Sequence, residues 1–127
     1  MPAFAKPPSA YTDPKDRLMP DNAIPGWGFW NGRPWWWALG ECAAWHRTVK
    51  TMNTTKQPDD RMMDFVMPMI ERLQADRSMT MEQAMPYTRD AMNDSMNERV
   101  TLMSTTVGAA MVDTKCDALL AAYKKVK

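Results

Sequence analysis

Seven of the ten prolines in this chain lie before residue 35, and they restrict what its N-terminal part can form. Proline fixes its own φ angle and lacks a backbone N–H, so it interrupts helices and donates nothing to a β-ladder. Three of the five glycines lie in the same stretch. We therefore predict that residues 1–34 form an extended arm of polyproline II and turn conformations, and that residues 35–127 form the folded domain.

Residues 35–127 show helical periodicity of apolar side chains, and no segment shows the alternation of a strand. We expect helices at about 35–54, 60–75, 86–104 and 109–125. Pro68 and Pro86 should kink or break two of them. Thr80 and Gln83 have the spacing of a capping box, in a single turn that we expect to end at Met85, before the third helix. The predicted fold class is all-α, a small bundle of three to four helices behind the arm.

Tryptophan is concentrated where the arm meets the first helix. Five of the six tryptophans lie between residues 26 and 37, and Trp35, Trp36 and Trp37 are consecutive. Consecutive side chains of a helix point in different directions, so we expect at least one of these three to face outward. Such side chains could cover the chain's own bundle, anchor a protein interface or lie at a bilayer surface. Arg33 beside them offers a cation for an indole face or a lipid phosphate.

The arm carries more apolar side chains than a solvated tail would expose. We expect Phe4, Tyr11 and Leu18 in particular to pack on a different polypeptide. The tryptophan-rich junction from Trp27 to Trp37 should bury mainly against the end of the arm and the bundle, and its tryptophans and Arg33 are also candidates for partner contact. The complete set of predicted partner-binding residues is Phe4, Tyr11, Leu18, Trp27, Trp30, Arg33, Trp35 and Trp36.

The two cysteines of the chain lie on the apolar faces of different predicted helices. Cys42 is on the first helix and Cys116 is on the last. We predict that these two helices are neighbours with the sulfur atoms of Cys42 and Cys116 within van der Waals reach, which makes a disulfide between them feasible. Two buried free thiols are the alternative, since cysteine packs like a small apolar residue.

A metal site is the main alternative use of these residues. His46, the single histidine, follows Cys42 by four residues, and with Cys116 it could form a soft-metal site for copper or zinc. Methionine is unusually frequent, at 14 of 127 residues, and its Met-x-Met spacings resemble those of copper(I) carriers. Because the methionines fall mostly on predicted inner faces, we favour methionines that belong to the core. A single Cys-x-x-x-His spacing is a weak metal signal, so we expect His46 to be a core histidine bonded to a carbonyl, and no metal or other cofactor.

Charge and motif content argue against several functions. Sixteen basic and fifteen acidic residues leave a net charge of +1, which does not favour a nucleic-acid binder. No apolar run approaches the roughly 20 residues that cross a bilayer, so we expect no transmembrane span. The glycines are not followed by the residues of a phosphate-binding loop, and His46 has no evident nucleophile and acid partner. We therefore expect a protein that is not an enzyme.

The arm, the tryptophan-rich junction and the small bundle together favour a subunit that attaches to something larger. Our leading hypothesis is a non-catalytic accessory subunit of a large, membrane-associated, respiratory-type assembly. It would bind other protein subunits and contact lipid headgroups through tryptophan, at the periphery of a mitochondrial membrane or, alternatively, in a bacterial cytoplasm or periplasm. The other hypotheses are a small copper-handling protein using Met, Cys and His, and a free-standing helical ligand-binding protein.

Overall fold

A computed structural model describes residues 13–52, 61–103 and 106–126, which form four helices preceded by a folded segment. Helix α1 spans Trp35–Met52, α2 spans Arg61–Arg77, α3 spans Met81–Met103 and α4 spans Thr106–Val126. Within these ranges there is no β-strand, and one isolated antiparallel bridge pairs Leu18 with Pro34. The predicted all-α class is confirmed, with four helices.

Helix α1 lies at the centre of the bundle and contacts each of the other three helices. It begins after Pro34, whose carbonyl accepts the first helical hydrogen bond, from the Ala38 N–H. Every residue from Trp35 to His46 is buried, so this part of the helix has no side that faces solvent. A helix that is buried on all sides requires neighbours on all sides.

The three consecutive tryptophans show how complete this enclosure is. The expectation that one of them faces outward is wrong, because all three are at most 2% exposed. Their side chains do point in different directions, but each direction leads into another part of the chain. Trp35 packs against Tyr123 of α4 and Trp36 against Tyr87 of α3, with ring centroids 5.9 and 6.2 Å apart.

Residues 13–34, the later part of the predicted arm, fold onto the bundle. This segment consists of turns and one 3-10 helix, Gly28–Trp30, and Gly26 has a φ of +75° that most residues avoid. Four apolar side chains of the segment are at most 3% exposed and belong to the same core as the helices: Met19, Ile24, Trp27 and Trp30. They pack on their own chain rather than on a different polypeptide.

A buried ion pair fastens the segment to the end of α2. The guanidinium of Arg77 donates two hydrogen bonds of 2.8 Å to the Asp16 carboxylate, and the two side chains are 6% and 0% exposed. The same guanidinium lies over the rings of Tyr87 and Trp36, at 4.7 and 5.4 Å from their centroids. Arg77 therefore joins the segment, α1, α2 and α3 at one point.

Further hydrogen bonds fix the segment to the C-terminal part of the bundle. The Arg17 N–H donates to Asp76 of α2, and the Arg17 guanidinium donates to the carbonyl of Val126 at the end of α4. Lys115 of α4 donates to the carbonyl of Pro25. Residue 17 thus lies beside the C-terminal ends of both α2 and α4.

Neither proline breaks its helix. Helix α2 continues through Pro68, and α3 begins at Met81 rather than at Pro86. The predicted capping box is confirmed and explains this start: the Gln83 N–H donates to the Thr80 hydroxyl, and the Thr80 N–H donates to the Gln83 side chain. Pro86 follows close to this N-terminus, so it removes a single intrahelical hydrogen bond near the start of α3.

The predicted pairing of the first and last helices is also confirmed. Cys42 of α1 and Cys116 of α4 form a disulfide, with their Cα atoms 5.6 Å apart. Both residues are fully buried. The bridge closes a loop between positions 74 residues apart and ties the central helix to the last one.

We predict that replacing both cysteines, in Cys42→Ala with Cys116→Ala, lowers the free energy of unfolding by about 4 kcal/mol, because a long loop is no longer closed in the unfolded chain. Urea denaturation followed by circular dichroism measures this change. Val107→Ala, at a 72% exposed position of α4, should change stability by less than about 0.5 kcal/mol. Equal stability of the double variant and the unmodified chain would show that the bridge contributes nothing.

We also predict that Asp16→Asn lowers the free energy of unfolding at pH 7 by about 3 to 5 kcal/mol, since it leaves a buried guanidinium without its counter-charge. Asp21→Asn, at an exposed position of the same segment, is the matched control. Burial tends to raise the pKa of Asp16, but hydrogen bonds from Arg77 and the Asp13 backbone outweigh it and lower that pKa.

The lowered pKa of Asp16 determines how the stability of the fold depends on pH. The contribution of Asp16 is present above the ordinary carboxyl pKa of about 4 and is lost as the pH falls through the lowered pKa of the folded state. The stabilities of the unmodified chain and Asp16→Asn should therefore converge in acid. A difference that persists unchanged at pH 2 would contradict this account.

Candidate functional site

Some of the predicted partner-binding residues lie in the core, and others lie at the surface. Four of them are at most 2% exposed: Trp27, Trp30, Trp35 and Trp36. Leu18 is 53% exposed, and Arg33 is half-buried with its guanidinium 5.9 Å from the Trp37 ring centroid. Phe4 and Tyr11 lie outside the described residues. Of the predicted residues that are described, Leu18 thus offers the largest apolar contact to a partner.

His46 is a core residue, as the sequence predicts. It is 3% exposed and stacks on Phe65 of α2, with the ring centroids 5.2 Å apart. Its Nε2 atom has no hydrogen-bond partner among the described residues. Burial, followed by repulsion from Arg61, lowers the pKa of His46, although Asp113, Asp117 and Asp64 act in the opposite direction. The side chain is therefore neutral at physiological pH.

The residues of the metal alternative are engaged in the core. The sulfur atoms of Cys42 and Cys116 are bonded to each other, so neither is available as a thiolate ligand beside His46 while the bridge is intact. Within the described ranges, no group of three His, Cys, Asp or Glu residues has the arrangement of a metal site.

Most of the large exposed apolar side chains in the described part of the chain are methionines. Four of them lie one helical turn apart in pairs, Met63 and Met67 on α2 and Met81 and Met85 on α3, and each is 45 to 51% exposed. We call these four residues the methionine face. The expectation that the methionines are core residues is right for the buried ones and wrong for this face. Among the residues whose burial the structure describes, the buried methionines are Met19, Met69 and Met92.

The methionine face borders an open groove of about 500 Å³ between α2 and α4. Met67 and Met81 both line it, and Pro68, Ile70 and Leu120 contribute further apolar surface. Because methionine is unbranched and has a polarizable sulfur, a surface lined by it adapts to apolar partners of different shapes. The sequence signal for this groove is the pair of methionines at i and i+4 on each helix.

A hydrogen bond joins the α2 and α4 walls of the groove. The Tyr123 hydroxyl donates to the Glu71 carboxylate at 2.9 Å. Burial and this carboxylate raise the pKa of Tyr123 to about 12, so the hydroxyl keeps its proton at neutral pH. Asp64 lies on the α2 side of the groove and Lys124 on the α4 side, so its two rims carry opposite charges.

Comparison with known proteins gives no match: no family model, curated protein or solved structure is significantly similar to this chain. None of the helices described above is long and apolar enough to cross a bilayer. The function must therefore be argued from the site itself.

We predict that His46 makes the stability of the fold decrease between pH 7 and pH 5. Because its pKa is lowered in the folded state, its contribution is complete above the unfolded value of about 6.5 and is lost as the pH falls through the folded value. Urea midpoints at pH 7, 6 and 5 measure this loss, and His46→Gln should show a smaller one. An identical pH dependence in the two proteins would contradict the prediction.

Proposed function

We propose that this chain is a non-catalytic accessory subunit of a multi-protein assembly, and that it binds a neighbouring subunit through the methionine face and its groove. The observation that carries the proposal is the exposure of four methionines, two of which, Met67 and Met81, line one groove, on a chain whose tryptophans are buried. Adjacent apolar side chains of this size are typical of protein interaction sites. The exposed Leu18 and the predicted contacts of Phe4 and Tyr11 would add to the same interaction.

The groove favours a helical occupant. Its walls are helices whose backbone groups are paired internally, so an extended peptide would find no strand edge to bind. A helix brings its own backbone hydrogen bonds and can insert apolar side chains between α2 and α4. Along α2 the groove runs from Asp64 to Gln74, a length of about 15 Å at the helical rise. This length matches about three turns of an occupant helix.

The charges on the rims indicate which helix would fit best. Asp64 and Glu71 place carboxylates on the α2 side, and Lys124 places an ammonium group on the α4 side. An amphipathic helix with basic residues on one flank and acidic residues on the other would have complementary charge in one orientation only. We therefore propose an amphipathic partner helix with this arrangement.

The buried disulfide supports an oxidising location. Disulfides are typical of the periplasm, secreted proteins and comparable compartments, and are rare in the cytosol. Of the locations considered from the sequence, the bacterial periplasm fits best, and a mitochondrial location would have to be on an oxidising side of the membrane. The membrane-associated, respiratory-type assembly and its lipid contacts were inferred from interfacial tryptophans. Because those side chains lie in the core, our proposal does not depend on them.

We predict that Met67→Glu combined with Met81→Glu releases the chain from its assembly, because two carboxylates in the groove would have to lose their hydration on binding. The full chain is expressed in its native cells, and a native extract is separated by gel filtration. The unmodified chain should elute with partner subunits, far above its own 14.5 kDa, and the double variant near 14.5 kDa.

The matched control is Met111→Glu, at a 41% exposed methionine of α4 that does not line the groove. It should remain in the assembly, and circular dichroism should show equal helicity for all three proteins. Elution of the unmodified chain as a monomer would refute the proposed function. Retention of the double variant would refute the role of the groove.

A further inference from the structure

We propose that the methionine face is a site of reversible oxidation by peroxide, at which Met63, Met67, Met81 and Met85 become sulfoxides while the core stays folded. The modification itself depends only on the fold. Its consequence, the loss of a bound partner, rests on the proposed function.

The reaction is a two-electron oxidation of each thioether. A lone pair of the methionine sulfur attacks one oxygen of hydrogen peroxide, the O–O bond breaks and an S–O bond forms. The attacked oxygen loses its proton, the departing hydroxide takes up a proton, and water leaves. A thiol-dependent methionine sulfoxide reductase reverses the change, since two thiols reduce the sulfoxide to the thioether and water and are themselves oxidised to a disulfide.

The disulfide leaves the thioethers as the most readily oxidised groups on the surface. Thiolates normally react with peroxide before methionine does, but this chain has two cysteines and both are in the bridge. All six tryptophans are at most 2% exposed, which keeps their indole rings away from a dissolved oxidant.

The chain contains both exposed and buried methionines, whose oxidation can be compared in one experiment. Each member of the methionine face is at least 45% exposed, whereas Met19, Met69 and Met92 are at most 6% exposed. Susceptibility of methionine to oxidation follows exposure, so peroxide should distinguish the two groups. Because the oxidised side chains already face solvent, their sulfoxides need not be accommodated in the core.

Oxidation would change the groove from apolar to polar. Met67 and Met81 line it, and a sulfoxide oxygen on either would require hydrogen bonds that an apolar partner surface does not provide. The partner would then have to leave or bind with an unsatisfied acceptor. The methionine face would in this way make assembly dependent on the oxidant level.

Peptide mass spectrometry during hydrogen peroxide treatment of the purified chain tests the site without any partner. We expect Met63, Met67, Met81 and Met85 to gain oxygen before Met19, Met69 and Met92, with no loss of helicity and with the disulfide intact. Treatment with methionine sulfoxide reductase should remove the added oxygen. Oxidation of the buried methionines at the same rate, or unfolding during oxidation of the face, would overturn the proposal.

Gel filtration of the assembly before and after peroxide tests the consequence. The unmodified chain and Met111→Leu should both leave the assembly on oxidation. A variant with leucine at all four positions of the face should show the same elution before and after peroxide, because leucine cannot form a sulfoxide. Retention of the oxidised chain would overturn the regulatory consequence. If the untreated chain elutes alone, the proposed function fails, and the peptide map still decides whether the oxidation site exists.

Discussion

Helix α1 has no side that faces solvent between Trp35 and His46, and the rest of the chain must therefore supply a surface in every direction around it. Helices α2, α3 and α4 supply three of these surfaces, and residues 13–34 complete the cover. Burial of large aromatic side chains is the main favourable contribution that such a small domain can obtain. The Asp16–Arg77 ion pair joins residues 13–34 to α2, and the disulfide joins α4 to α1.

Local signals in the sequence were sufficient for most of the fold. The apolar spacing predicted the helices, the Thr80 and Gln83 pair predicted a capping box, and the two cysteines predicted which helices are neighbours. The error at Pro86 arose because α3 already begins at the Thr80–Gln83 capping box and continues through the proline, as α2 continues through Pro68. The error at the tryptophans arose because the number of helix sides that are covered depends on contacts distant in sequence. Tyr123 of α4 covers Trp35, and Tyr87 of α3 covers Trp36.

The candidate site was harder to predict because methionine occurs on both sides of the same helices. Met67 is 51% exposed and Met69 is fully buried, although they are two residues apart on α2. On a helix such positions point to nearly opposite sides, and their identical chemistry gives no indication of which side faces the core. Which side of α2 faces the core depends on the position of α1, and that position follows from the tertiary structure alone. The methionine pairs at i and i+4 are a local signal for an exposed face, but that Met67 and Met81 line one groove with α4 follows from the tertiary structure.

The burial of every tryptophan has a consequence for how this protein can be observed. Indole fluorescence responds to the polarity around the ring, and all six indoles lie in the interior. The emission spectrum should therefore report on the integrity of the core as a whole and shift to longer wavelength when the chain unfolds. The groove has no indole in its lining, so an event there that leaves the core intact should leave the spectrum nearly unchanged. An optical probe of the groove would have to be introduced, for example as an extrinsic dye.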